Sequence, residues 1–223
     1  MVDVLSGRSR RRRRRNPVGM VDAALEYAAL GWPVCRGAHP DPVGPRSCAC
    51  DRMGCPDPGA HPMSAAWAME AGTDPAVITR WWGAEPDANV ILPTGRVFDV
   101  FDVPAEAGVS AMAQMDRAGL PAGPVAAVDA RRYLFFVATR SPADEDEWWS
   151  CHLDCVPETV ADSPGLRWHC RNSYVPAPPS TLPSGGRVDW IRPPSRGADG
   201  VELPDPIAVL AVLVDVCEEP KAG

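Results

Sequence analysis

Apolar positions along the chain alternate between helical and strand spacing. Val21, Ala24, Leu25 and Ala28 recur with the period of one helix face, and Gly31 supplies a stop. Trp32 to Cys35 reads as a short strand. Asp74 is placed to cap a helix whose first turn holds Pro75 and whose body carries Val77, Ile78, Trp81 and Trp82. Asn89 to Leu92 and Val97 to Phe101 predict two strands around the turn Pro93-Thr94-Gly95. Pro104 to Ala118 predicts a helix closed by Gly119, and Val125 to Val128 with Tyr133 to Ala138 predicts a hairpin looping through Asp129 to Arg132. A helix is expected around Asp144 to Cys155, and short strands at Arg167 to Cys170, Tyr174 to Pro176 and Val188 to Ile191. Pro204 to Cys217 predicts a last helix, apolar on most of its circumference and therefore buried. Helices and strands are intermixed, so an α+β (mixed α/β) domain over residues 20–217 is expected, with a basic disordered tail at 1–19 and a short C-terminal tail at 218–223.

Composition changes this picture in two ways. Pro (26 residues) and Gly (19) favour many turns and short strands over a helical bundle. The charge is uneven: Arg8 and Arg10 to Arg15 hold seven of the 22 basic residues, which leaves 15 basic against 28 acidic from Asn16 onward. A body that acidic repels a phosphate backbone unless a local patch overrides the average. The longest apolar run, Ile207 to Val214, is too short to span a bilayer, and no targeting segment is visible, so a cytoplasmic protein with no membrane contact is expected. The eight Cys then read as thiols or metal ligands and not as a disulfide framework.

Residues 36–63 carry no periodicity, and a loop of that length needs something to organise it. Cys48, Cys50, Cys55 and His61 form C-x-C-x4-C-x5-H, a thiolate-rich set that suits tetrahedral zinc with no open position, hence a structural ion. Gly54, Gly59, Pro56 and Pro58 suit the turns of a knuckle. Cys35 and His39 are nearby alternates for the fourth ligand. Cys151, His152 and Cys155, with His169-Cys170, form a weaker grouping that reads better as core thiols and ordinary histidines.

Several segments together resemble one family. Glu26-Tyr27-Ala28 with Gly31-Trp32-Pro33-Val34, the Cys loop ending in His61-Pro62, the run Thr73-Asp74, Ile78, Trp81-Trp82, Pro86, Asn89 and Thr94-Gly95, and Ser173-Tyr174-Val175-Pro176-Ala177-Pro178-Pro179-Ser180 are similar to signatures of the bifunctional DNA primase/polymerase N-terminal domain, a branch of the archaeo-eukaryotic primases. The resemblance implies a core related to the RNA-recognition fold with a zinc-knuckle insertion at 36–63. It implies DNA as a partner, replication or mobile-element proteins nearby, and divalent metal, Mg(2+) or Mn(2+), in any active member. It also implies three motifs: Asp-x-Asp or Asp-x-Glu on a strand, a His on a neighbouring strand, and a third acid before the Tyr174 segment.

Each motif departs here. Two-metal chemistry needs converging carboxylates, and on a strand only residues two apart share a face. Asp102 matches the second acid, Val100 stands two before it, and Asp99 is three away and emerges on the other face unless a bulge turns it. Tyr133 or Leu134 stands where the His is expected. Gly165, with Asp162 displaced, stands near the third acid. If the chain is active, Asp99, Asp102 and Asp162 are the catalytic candidates. Arg131, Arg132, Ser173 and Ser180 are the candidates for contacting nucleotide or nucleic acid. Three departures favour a catalytically degenerate, zinc-stabilised interaction module over an active enzyme. A zinc-knuckle adaptor for a protein partner is a further alternative.

Overall fold

The structure is a computed structural model that describes residues 19–41, 48–50, 52, 54–139, 158–159, 165–197 and 200–218. Helix α1 (Met20–Ala29) is followed by β1 (Cys35–Gly37), α2 (Trp67–Glu70), α3 (Pro75–Ala84), β2 (Asn89–Pro93), β3 (Phe98–Pro104) and α4 (Ala105–Ala118). Then come β4 (Val125–Val128), β5 (Arg132–Ala138), β6 (Glu158–Thr159), β7 (Arg167–His169), β8 (Tyr174–Pro176), β9 (Val188–Arg192), β10 (Arg196–Gly197), β11 (Gly200–Val201) and α5 (Pro206–Glu218). The mixed helix-and-sheet class expected from the sequence is the one found.

A central antiparallel sheet runs β6-β7-β3-β5-β4-β9, and a smaller one runs β1-β2-β8. Strand alternation divides the apolar residues of the central sheet between two cores. Phe98, Val100, Leu134 and Phe136 face α1, α3 and the smaller sheet, where Trp32 stacks on Phe136 at 5.4 Å between ring centres. Phe101, Val103, Phe135 and Val137 face the other way, onto α4 and α5. The sheet is therefore buried on both sides and β3 lies at its centre, so every polar residue on β3 needs a partner.

Local sequence accounts for the element ends. The Asp74 carboxylate accepts from the Ala76 amide at 2.8 Å and starts α3. Gly119 ends α4 in the left-handed conformation, φ 68°. The Thr94-Gly95 turn docks on the chain between β7 and β8: Thr94 Oγ1 donates to the Cys170 carbonyl at 2.5 Å, and a Cβ on Gly95 would lie 2.2 Å from the Arg171 Cα. Only glycine fits there.

Several boundaries differ from the sequence reading. The first strand lies at 35–37 instead of 32–35, because Trp32 is drawn into the aromatic core. β3 extends to Pro104 and so includes Asp102. Arg132 belongs to β5 and not to the hairpin loop. α5 buries Val209, Val212 and Leu213 but leaves Ile207 exposed, so its apolar circumference is not fully covered. Cys170 is disulfide-bonded, which departs from the reading of all eight Cys as thiols or ligands. Among the described residues no helix is long and apolar enough to cross a membrane. Asp162, the Arg run of the first fifteen residues, the helix expected at 144–155 and the Cys151-His152-Cys155 grouping lie outside the described residues.

Candidate functional site

The loop at 36–63 is strapped against β1 by backbone bonds: Ala38 N donates to His61 O at 2.8 Å, Ala49 N to His39 O at 2.9 Å, and Met63 N to Arg36 O at 3.0 Å. These bring Cys48, Cys50, Cys55 and His61 together, with one ligand atom from each, all within 4.8 Å of one another. His61 Nε2 lies 3.5 Å from Cys48 Sγ and 3.3 Å from Cys55 Sγ. Ligand bonds of about 2.0–2.3 Å at tetrahedral angles produce edges of roughly that length, so the set fits a zinc-sized ion. The other ring nitrogen of His61, Nδ1, lies 2.8 Å from the Pro62 carbonyl, which leaves Nε2 as the coordinating atom.

Cys50 and Cys55 of the cluster are not equivalent. Burial raises the Cys50 thiol, but hydrogen bonds from the Arg52 backbone and from Cys48, Cys55 and His61 outweigh it and bring its pKa down to about 7. Burial, reinforced by Cys50 and Cys48, pushes Cys55 up to about 11. Of the alternate ligands, Cys35 is excluded from the cluster. It packs with Trp67 and Ile91, and burial pushes its thiol up to about 12. His39 is likewise not among the converging groups.

The knuckle is tied to the rest of the fold through Asn89. Its side-chain amide donates to Gly59 O at 2.7 Å and Thr181 O at 2.8 Å, and its oxygen accepts from Thr181 N at 2.9 Å. Asn89 is fully buried. Asn89→Ala leaves those partners unsatisfied and is expected to cost about 2–3 kcal/mol, with metal affinity down about tenfold; urea denaturation and competitive zinc chelation measure the two effects.

The knuckle also forms one wall of a cleft of about 660 Å³, through Asp57, Pro58 and Ala60. The opposite wall is the central sheet, with Asp102, Arg132, Leu134, Arg167 and His169, and Arg131 stands at the hairpin. Burial raises the Asp57 pKa, against the opposing pull of His61, Arg167 and His169.

The sheet register defines what surrounds Asp102. On β5 its cross-strand neighbour is Leu134, and on β7 it is Arg167. Direct cross-strand neighbours share a face. Val100, two residues back on that face, is flanked by Phe136 and His169. Arg132 Nε donates to Asp102 Oδ1 at 2.5 Å, and its NH2 group donates to Asp102 O at 3.0 Å and Gly165 O at 2.6 Å. Arg167 NH1 is 3.9 Å and His169 Nε2 3.7 Å from Asp102 Oδ2. His169 Nδ1 lies 3.1 Å from Ser173 Oγ.

Asp99 is on the other side. Pairing of β3 with β5 continues without a bulge from Phe98 to Pro104. Asp99 is buried on the face of Phe101 and Val103, where Thr139 Oγ1 donates to it at 3.3 Å. Register also separates the two candidates for the His position: Leu134 lines the cleft, whereas Tyr133 packs on the α4–α5 core. The Ser180 hydroxyl accepts from the Val90 amide and donates to the Val90 carbonyl, both at 3.1 Å, so it is committed to the fold. Arg131 is 76% exposed and pairs with Asp129 at 3.2 Å. Arg167 and His169 line the cleft, although the sequence alone does not single them out for it. What signal there is lies in the alternation Arg-Trp-His, which puts both basic side chains on one face of a strand.

A family model, "Bifunctional DNA primase/polymerase, N-terminal", matches residues 24–207. The chain belongs to this family. Membership links it to primase/polymerase and replication chemistry and to nucleic-acid interaction. No curated protein matches the chain. Paired divalent ions need converging carboxylates, and among the described residues Asp102 has no second carboxylate on its strand face. Asp102 has Arg132 on one oxygen, and the flanking same-face positions hold Val100, Leu134 and Arg167. Among the described residues lining the cleft, the only other carboxylate is Asp57, on the knuckle.

Proposed function

We propose that this primase-polymerase domain has lost nucleotidyl transfer and serves as a nucleic-acid interaction module within a replication or mobile-element system, with zinc in its knuckle as a structural ion. The observation that carries this reading is the set of neighbours of Asp102: Arg132 holds one carboxylate oxygen, and Arg167 and His169 flank the other at 3.9 and 3.7 Å. A guanidinium and a divalent ion compete for the same carboxylate oxygens, and the part-buried Arg132, already held by two backbone carbonyls, has the geometric advantage. The same arginines give a locally cationic cleft within an acidic body, which is what a phosphate-bearing partner requires.

A primer-extension assay tests the loss of transfer. Clean protein is expected to incorporate no dNTP with either Mg(2+) or Mn(2+), and incorporation abolished by Asp102→Asn would contradict the reading. Single-stranded DNA binding, measured with and without residues 1–19, tests the module. If neither form binds, the acidic body favours the zinc-knuckle adaptor for a protein partner.

A further inference from the structure

The donors around Asp102 are not equally engaged. Arg132 is spent: Nε is on the carboxylate and NH2 is on two backbone carbonyls. Arg167 is different. Its side chain is 47% exposed, and its closest approach to Asp102 is 3.9 Å, beyond hydrogen-bond length. Its planar fork therefore faces the cleft with donor capacity to spare. It comes from β7, on one side of β3, whereas Arg131 stands at the hairpin that leads into β5, on the other side. Arg167 and, at the hairpin end, the 76% exposed Arg131, which pairs with Asp129, both line the cleft, and guanidinium forks suit an oxyanion with several acceptor oxygens. A cleft of about 660 Å³ has room for a group of nucleotide size behind that phosphate.

We propose that the cleft binds a phosphate oxyanion without any divalent cation, with Arg167 as its principal ligand, Arg131 assisting, and Arg132 holding Asp102 in place of a metal. This rests on the non-catalytic reading above and specifies the ligand chemistry of the same cleft. In a metal-dependent site the bridging ion supplies the positive charge that phosphate needs, so affinity collapses when the ion is removed. Here the charge is built into the chain, and affinity is indifferent to magnesium.

The test is calorimetric titration of the zinc-loaded chain with inorganic pyrophosphate, in buffer passed over chelating resin beforehand so that the knuckle keeps its ion. Binding is expected with and without added magnesium, within about twofold. Arg167→Ala, at a half-exposed position that should leave the melting temperature unchanged, is expected to weaken it by roughly ten- to a hundredfold, the usual range for a hydrogen bond to a charged group. Competition by dATP, or by a 5′-phosphorylated oligonucleotide and not its 5′-hydroxyl counterpart, supports the site and says whether the phosphate belongs to a nucleotide or to a strand end. A strict requirement for magnesium, competition by neither ligand, or unchanged binding in Arg167→Ala overturns the inference. Unchanged binding in that variant together with no primer extension removes this inference alone. Primer extension by the wild-type chain removes the non-catalytic reading.

Discussion

Arg132→Ala is expected to destabilise the protein by about 3–5 kcal/mol, the range for stripping one partner from a buried ion pair. The Asp102 side chain is only 7% exposed and sits on the central strand of a sheet covered on both faces. Without Arg132 its charge keeps only the longer contacts to His169 at 3.7 Å and Arg167 at 3.9 Å, and the Gly165 carbonyl loses a donor. Arg167, at 3.9 Å, can recover part of the interaction by swinging inward, so Arg132→Ala/Arg167→Ala should be worse than either single change. Replacing both members by apolar residues, Arg132→Met/Asp102→Leu, should restore much of the stability, because the cost lies in the orphaned charge and not in the missing contact. Urea denaturation reads these differences, and for a chain of this size the single variant should melt roughly 10 °C lower. A loss below about 1 kcal/mol in Arg132→Ala would mean that Asp102 is solvated and the cleft far more open than described.

Removing metal from the knuckle is expected to have a comparable effect. An ion that binds only the folded state stabilises it by about 4 kcal/mol when present at a thousand times its dissociation constant, so stripped protein should melt about 8–16 °C lower. The knuckle has little apolar substance of its own: between Cys48 and His61 the chain is Cys, Gly, Pro, Ala, Met and charge. Its ties among the described residues include the straps to β1, the Asn89 bridge and the packing of Ala60 against the first core. Loss of the ion should therefore free Asp57, Pro58 and Ala60, one wall of the cleft, while the two apolar cores persist. Cys48→Ser/Cys50→Ser should match the stripped wild type in melting temperature and carry less zinc. Equal zinc content in that variant would remove the knuckle from the account.

The fold was largely legible because its signals are local. Helix spacing, the Asp74 cap, the Gly119 stop and the turn at Thr94-Gly95 all act over a few residues. The knuckle was legible for the same reason, since four ligands within fourteen positions leave few arrangements. The separation of Asp99 from Asp102 followed from strand alternation, and the unbroken β3–β5 register bears it out. What surrounds Asp102 was not legible. Arg132 is 30 positions away and Arg167 still farther, and only the antiparallel register of three strands sets them beside the same carboxylate. The sequence places Arg132 in the hairpin loop, and a boundary one position earlier moves its side chain to the sheet face. An apolar circumference predicts burial of α5, but composition alone does not reveal that Ile207 is left uncovered.

Manganese titration followed by electron paramagnetic resonance tests the central claim most directly. With the knuckle already loaded with zinc, the signal of free aqueous Mn(2+) should grow with each addition as it does in buffer, because Asp102 is held by arginine and no second carboxylate shares its strand face. Uptake of a pair of manganese ions, lost in Asp102→Asn, would contradict the account and return the cleft to metal-dependent nucleotidyl transfer.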